Sequence, residues 1–338
     1  MRLFKGTTPP IPGPDSIAAI EEIHLGGMKQ CVILRGKNVH DPILLFLHGG
    51  PGTPETAWLN HFNANLEDHF IVAAWEIRGG GKSYRPNIPP ESMTLEQLIQ
   101  DTHELTNYLQ KRFDQKKIYL VGHSFGALLG TKVVQRFPQD YYAYVGIGQV
   151  ANTVESERIS YQWALATAKE RGNRKAVKEL EALGEPVNGT YKIGEAGIHK
   201  ERKWVKEFGG AIHGKSSMPL LTRVLLKSPI YTVAEALNYF KAEQFSLRFL
   251  WNDFLAVNFI SQVSQFDLPV YICQGIYDYQ TAYPVARKYF EQLVAPKKEF
   301  FTFENSAHGT LFEEPEKFLQ VMLKIDADVR EHRAALLT

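Results

Sequence analysis

The sequence predicts an α/β fold: a mostly parallel central sheet, helices on both faces, and an inserted helical cap. Three observations predict it. Short apolar runs followed by turn residues or a helix recur along the chain, as in "ILLFLH", "FIVAAWE", "IYLVGHS" and "YVGIGQ". Some of the segments between them carry helical spacing. The alternation stops near residue 151 and resumes near residue 266. Strand and helix alternating at this rhythm build a parallel sheet covered on both sides.

Taken in order, residues from about 19 to 36 alternate in patches around Gly26 and Gly27 and are expected to form a hairpin. In "TLEQLIQDTHELTNYLQKRF", Leu95, Leu98, Ile99, Thr102, Leu105 and Leu109 recur at three and four residues. Thr94 is placed as N-cap, with Gln97 in the capping-box position. From 151 to about 265 the pattern is helical, with no clear strand. "LPVYICQG" and "KEFFTFENS" then restore the strand rhythm, and a helical "EPEKFLQVMLKIDADVREHRAALL" follows. The expected organisation is a core in two parts, residues 1–150 and 266–338, with a cap at residues 151–265 over the strand ends. The proline-rich start is expected to be a loosely held arm.

A chain of 338 residues can hold one large domain with an insertion. Its hydrophobic fraction of 44% and charged fraction of 22% are those of a globular protein. Lys plus Arg is 38 against 37 for Asp plus Glu, without a basic block, which argues against nucleic-acid or membrane-surface partners. The two cysteines, Cys31 and Cys273, sit in apolar surroundings and read as buried, reduced thiols. Neither a signal-peptide core nor a run of ~18 apolar residues is present, so a cytoplasmic protein is expected.

The strongest chemical signal is "IYLVGHSFGALLG". An apolar run meets Gly122-His123-Ser124-Phe125-Gly126, and a small-residue helix follows: G-x-S-x-G in its strand–turn–helix context. Such a sharp turn strains the serine backbone and lifts its Oγ above the sheet, and side chains at 122 and 126 would collide with neighbouring elements. A serine hydroxyl needs a base that is itself oriented by an acid. Asp278 lies just beyond one late apolar strand and His308 just beyond the last. Both are expected at the strand ends where Ser124 is. Asp267 precedes its strand and falls at the wrong end.

"HGGPG", at His48, Gly49, Gly50, Pro51 and Gly52, ends an unbroken apolar run. Acyl transfer passes through an oxyanion stabilised by backbone N–H groups. Phe125 N–H and Gly50 N–H are the expected donors, and His48 is expected to hold the loop. Two lookalikes are set aside. "RGGGKS" at 78–83 lacks the first glycine of a phosphate loop, since Glu76 stands there, and "GIGQVA" falls outside an early βαβ unit. No Cys/His cluster has zinc spacing, and neither cofactor nor metal is expected.

Together these residues resemble the α/β-hydrolase superfamily, and within it the proline iminopeptidase-like branch. "HGGPG", "AWEIRGGGKS", "VGHSFGALLG", "QGIYDYQT" and "NSAHGTLFEEPEKF" carry the resemblance, over roughly residues 20–150 and 266–335. It implies an α/β-hydrolase fold, a Ser124–His308–Asp278 triad and an oxyanion hole from Gly50 and Phe125. Glu76 and Ile77 stand where the branch has Asp-Gln. The cap lacks the stretch associated with binding the substrate amine, although it offers Glu155, Glu157, Glu235, Glu243 and Asp253. Its aromatics, Tyr161, Trp163, Trp204, Tyr239, Phe240, Phe245, Phe249, Trp251 and Phe254, are individually expected in packing and collectively suggest an apolar pocket roof. The expected function is a serine hydrolase acting on a small molecule or short peptide, first as an aminopeptidase releasing an N-terminal residue. A carboxylesterase or lactonase is the alternative, and a ligand sensor on a hydrolase fold the third reading.

Overall fold

The structure, a computed structural model, describes residues 6–213 and 218–335. It opens with a hairpin, β1 (Ile17–Leu25) and β2 (Met28–Gly36), turning at Gly26–Gly27. Next come β3 (Ile43–Leu47), α1 (Thr56–Phe62), β4 (Ile71–Glu76), α2 (Leu95–Arg112), β5 (Ile118–His123), α3 (Phe125–Arg136) and β6 (Tyr141–Ile147). Six helices then separate β6 from β7 among the described residues. They are α4 (Thr153–Glu170), α5 (Arg174–Leu183), α6 (Glu195–Phe208), α7 (Met218–Lys227), α8 (Val233–Leu255) and α9 (Phe259–Gln262). The chain returns through β7 (Val270–Gly275), α10 (Tyr283–Gln292), β8 (Lys298–Phe303), α11 (Thr310–Glu313) and α12 (Pro315–Ala335).

The eight strands form one sheet in the order β1-β2-β4-β3-β5-β6-β7-β8. β2 pairs antiparallel with β1 and β4, and every later neighbour is parallel. The central strands β3 and β5 are buried along their whole length, as unbroken apolar runs require when helices cover both faces. Alternation sorts the side chains. Leu45 and Leu47 pack with Leu98, Leu105 and Leu128 on one side; Leu44 and Phe46 pack with Leu59, Phe318 and Met322 on the other.

This topology fixes where the site lies. The chain steps from β3 to β4 in one direction and then crosses back, so β5 lies on the other flank of β3. The crevice beyond the carboxyl ends of strands at such a reversal is where open α/β sheets bind ligands. The loop after β3 is "HGGPG", and the turn after β5 carries Ser124. β6, β7 and β8 follow in parallel register and bring Asp278 and His308 to the same edge.

The helices between β6 and β7 do not share one core. α4, α5 and α6 enclose a cluster of their own, with Tyr161, Ala164, Leu180, Trp204 and Val205, whereas α8 gives Leu250 and Phe254 to the main core. Glu76, buried at the end of β4, ties these helices to the sheet. Its Oε1 accepts from Tyr231 Oη at 2.5 Å and Thr56 Oγ1 at 3.1 Å. Burial pushes this carboxyl up, and those hydrogen bonds work in the opposite direction.

Two local expectations change. Thr94 Oγ1 caps α2 by accepting from Gln97 N at 3.2 Å, but the Gln97 amide turns away to Asp101 Oδ1 at 2.8 Å, so half of the box forms. Asp101 also holds Arg78, and donating to this charged acceptor turns the Gln97 side chain away from the Thr94 N–H. The N-terminal arm is not loose where it is described, residues 1–5 lying outside. Thr7 N donates to Pro229 O at 2.8 Å, and Arg35 Nη1 donates to Pro9 O at 2.7 Å. Arg35 is itself fixed by Glu67 through two bonds of 2.7 and 3.0 Å, which leaves one guanidinium edge for the arm.

Candidate active site

Ser124 sits between β5 and α3 with φ 56° and ψ −116°. A non-glycine residue held there stores about 1–3 kcal/mol of strain, which the surrounding packing must overcome. The glycine requirement at Gly126 is steric: a Cβ would lie 2.0 Å from Leu47 O. The turn is pinned by Ser124 N–H donating to Ile147 O at 2.9 Å, and Ala127 N–H donating to Ser124 O at 2.9 Å. Phe125 opens α3, and its side chain is buried. Its N–H is one of the donors a helix start leaves without an intrahelical partner.

The "HGGPG" loop lies against this turn. Gly50 has φ 113°, and a Cβ there would meet the nitrogens of Gly52 and Thr53 at 2.7 Å, so the loop shape requires glycine. Gly49 and Gly50 line the same cavity as Ser124, while His48, Pro51 and Gly52 are buried behind them. His48 Nε2 accepts from Ile77 N at 3.0 Å, so Nδ1 carries the hydrogen and donates to Gly49 O at 2.8 Å. Burial keeps this imidazole below its ordinary pKa.

Asp278 is fully buried beyond β7. Oδ1 accepts from the backbone N–H groups of Gln280 at 2.8 Å and Thr281 at 3.0 Å. Oδ2 accepts from Thr281 Oγ1 at 2.9 Å, Gln274 Nε2 at 2.8 Å and His308 Nδ1 at 2.8 Å. With Nδ1 turned to the carboxylate, Nε2 of His308 is left for another partner. Ser124 and His308 line one cavity of about 190 Å³. The structure therefore brings Ser124, His308, Gly49 and Gly50 to one cavity, with Asp278 hydrogen-bonded behind the histidine.

Sequence reasoning missed the residues that hold these groups. His123 Nδ1 lies 2.7 Å from Glu55 Oε1, and its Nε2 lies 2.9 Å from His308 O. Both partners are acceptors, so both nitrogens carry hydrogen and His123 is an imidazolium. Burial opposes that charge, but the Glu55 carboxylate outweighs it and the pKa is raised. Glu55 Oε2 also accepts from Gly49 N at 3.2 Å. One buried ion pair thus links the glycine loop to the histidine loop. Glu313 Oε1 accepts from the N–H groups of Ala307 and Gly309, each at 3.0 Å, on either side of His308. Burial raises the Glu313 carboxyl to about 7, against the pull of these hydrogen bonds. Gln274 had a sequence signal, as an amide at the end of an apolar strand.

The cap acids separate by partner. Glu155 pairs with Lys288, Glu157 with Arg202, and Glu235 with Lys82, while Asp253 accepts from Leu95 N. Glu243, half-buried on α8, lines the Ser124 cavity and has no hydrogen-bonding or ionic partner among the described residues. None of the aromatics expected in the roof lines the cavity among the described residues: Trp58, Ile212, Leu221 and Phe312 supply the apolar wall. These aromatics pack elsewhere: Trp163 stacks on Tyr279 at 4.0 Å between ring centres, Phe245, Phe249, Trp251 and Phe254 join the main core, and Phe240 points to solvent. In the "RGGGKS" lookalike, Arg78 and Lys82 are already paired, with Asp101 and Glu235. No helix among the described residues is long and apolar enough to cross a membrane.

Comparison with known proteins agrees with this architecture. Residues 39–315 match the family model described as serine aminopeptidase, S33. The protein YbaC of Bacillus subtilis, named a probable aminopeptidase, is 33% identical over 92% of this chain and 97% of its own length. A proline iminopeptidase of Heyndrickxia coagulans is 24% identical over 82% of this chain and 88% of its own. Among solved structures, a proline iminopeptidase-related protein of Thermus thermophilus superposes with a TM-score of 0.66 at 20% identity. That match covers 93% of this chain and 98% of the other. A proline iminopeptidase of Mycobacterium smegmatis gives 0.67 at 14% identity, covering 94% and 100%. The chain is a hydrolase of the α/β-hydrolase fold, and it belongs to the serine aminopeptidase family, in its proline iminopeptidase-like branch.

Proposed function

We propose that the chain is an aminopeptidase that releases the N-terminal residue, proline among the candidates, from small peptides through a Ser124–His308–Asp278 triad. His308 Nε2 takes the proton as Ser124 Oγ attacks the scissile carbonyl. Asp278 holds Nδ1–H and stabilises the imidazolium that forms. The N–H groups of Gly50 and Phe125 receive the oxyanion, in a loop stiffened by His48, Gly49, Pro51 and Gly52. His308 then protonates the leaving amine, and a water it activates releases the acyl-enzyme. Residues 151–265 act as the cap over this site.

One observation carries the peptidase reading over the esterase one: Glu243 is a carboxylate in the cavity of Ser124 without a partner among the described residues. Glu55 also lines that cavity, but His123 already neutralises it. A free α-amine, cationic at neutral pH, is the ligand an uncompensated carboxylate selects. The test compares initial rates on proline p-nitroanilide, its N-acetylated form and p-nitrophenyl butyrate. Cleavage of the free-amine anilide alone among the two anilides supports the reading. Turnover of the ester with neither anilide cleaved replaces it with the carboxylesterase.

A further inference from the structure

The cavity holds a second charge without a partner. Lys206, in the last turn of α6, lines it together with Glu243 and has no ionic or hydrogen-bonding partner among the described residues. The two charges approach from different sides. α8 packs over the glycine loop, where Tyr239 Oη donates to Pro54 O at 2.7 Å, and Glu243 follows one turn later. α6 runs instead into a segment that backs the other two loops. Gly210 O accepts from Tyr279 N at 3.0 Å, in the loop of Asp278, and Ala211 O accepts from His308 N at 3.1 Å. Lys206 therefore enters from the histidine side and Glu243 from the oxyanion side.

That difference has a chemical meaning. The leaving nitrogen takes its proton from His308, so the leaving group must lie on the histidine side of Ser124. In a dipeptide, the free carboxylate is separated from that nitrogen by a single carbon. We infer that Lys206 binds the free α-carboxylate of the departing residue, so that dipeptides are the preferred substrates; this rests on the aminopeptidase reading above. The cavity size agrees: about 190 Å³ is below the ~300–1,000 Å³ typical of drug-sized ligand sites. Longer peptides carry a neutral amide where Lys206, a solvent-exposed cation at the mouth of the cavity, would meet a charge, and so forgo that ion pair.

The test is a ratio of kcat/KM values for two substrates that differ in one group. The N-terminal residue is the one whose p-nitroanilide is cleaved fastest, and the pair is that residue joined to glycine and to glycinamide. The wild type should prefer the free acid by at least about tenfold, the scale of one charge-assisted hydrogen bond. Lys206→Met should bring the ratio to near one, and Lys206→Arg should preserve it. Because each ratio comes from one enzyme sample, partial misfolding of a variant does not alter it. A wild-type ratio near one, or a preference that survives Lys206→Met, overturns the assignment. If no anilide is cleaved while p-nitrophenyl butyrate is, the aminopeptidase reading fails and takes this inference with it. Anilide cleavage with a ratio of one removes the Lys206 inference alone.

Discussion

Replacing Glu55 by Gln tests the buried ion pair behind the site. In the native protein the Glu55 carboxylate keeps His123 charged, so that its two nitrogens donate to Glu55 and to the His308 carbonyl. In Glu55→Gln the largest influence opposing burial is gone, so the buried imidazolium is left without its counterion, and only a neutral ring can pair with the new amide. Breaking a buried pair by removing one partner costs about 3–5 kcal/mol. With an unfolding entropy of about 2.1 cal/mol/K per residue, 338 residues give roughly 0.7 kcal/mol/K, so a loss of about 3 kcal/mol lowers Tm by about 4 °C. The pH dependence has a definite sign. The folded pKa of His123 is raised, so its stabilisation is complete below the ordinary value near 6.5 and is lost as pH rises through the folded value. The gap in Tm between wild type and variant should be widest near pH 6 and shrink at higher pH. Differential scanning calorimetry at several pH values reads both quantities. A variant within 1 °C of wild type at pH 6 (roughly a quarter of the expected shift), or a gap that widens with pH, would refute the ion-pair argument.

Other substitutions probe separate parts of the account. Ser124→Ala should lower kcat by at least about 10³-fold on any cleaved substrate, measured by initial rates. Glu243→Gln should raise KM for a free-amine anilide by about tenfold, the scale of one charge-assisted hydrogen bond. Glu313→Ala should reduce kcat, because the N–H groups of Ala307 and Gly309 lose the acceptor that positions them. Its stability signature is separate: a folded pKa of about 7 against an ordinary 4.5 means that native stability falls as pH rises across that window, and melts of the variant should lack that component. Tyr231→Phe removes a donor from buried Glu76 and should cost about 1–3 kcal/mol, read by denaturant unfolding.

The legible part of the molecule was the part whose signal is local. β3 and β5 announce themselves as apolar runs because both faces of a central strand are covered. The Ser124 turn announces itself because its glycines are required by the tight packing of the turn on neighbouring strands, such as Gly126 against Leu47 O. Asp278 and His308 carry a positional signal, each lying just past a late strand. What was not legible depends on pairs far apart in sequence. Glu55 meets His123 across 68 positions, and His123 meets the His308 carbonyl across 185. The acids of residues 151–265 look alike in sequence and differ only in their partners: Lys288, Arg202 and Lys82 each claim one, Asp253 takes the Leu95 N–H, and Glu243 is left without one among the described residues. The aromatic roof failed for a related reason. Aromatic residues on amphipathic helices pack wherever a neighbour offers apolar surface, and here α4, α5 and α6 supply one another.

The most direct measurement of the central claim is the site of covalent modification by a fluorophosphonate, which reacts with an activated serine. The protein is incubated with the reagent, weighed intact by mass spectrometry and mapped by peptide digestion. A single adduct on Ser124, with parallel loss of hydrolysis and no adduct in Ser124→Ala, is the predicted result. An adduct on another serine, or full activity after Ser124 is labelled, would contradict a mechanism that runs through Ser124 and His308.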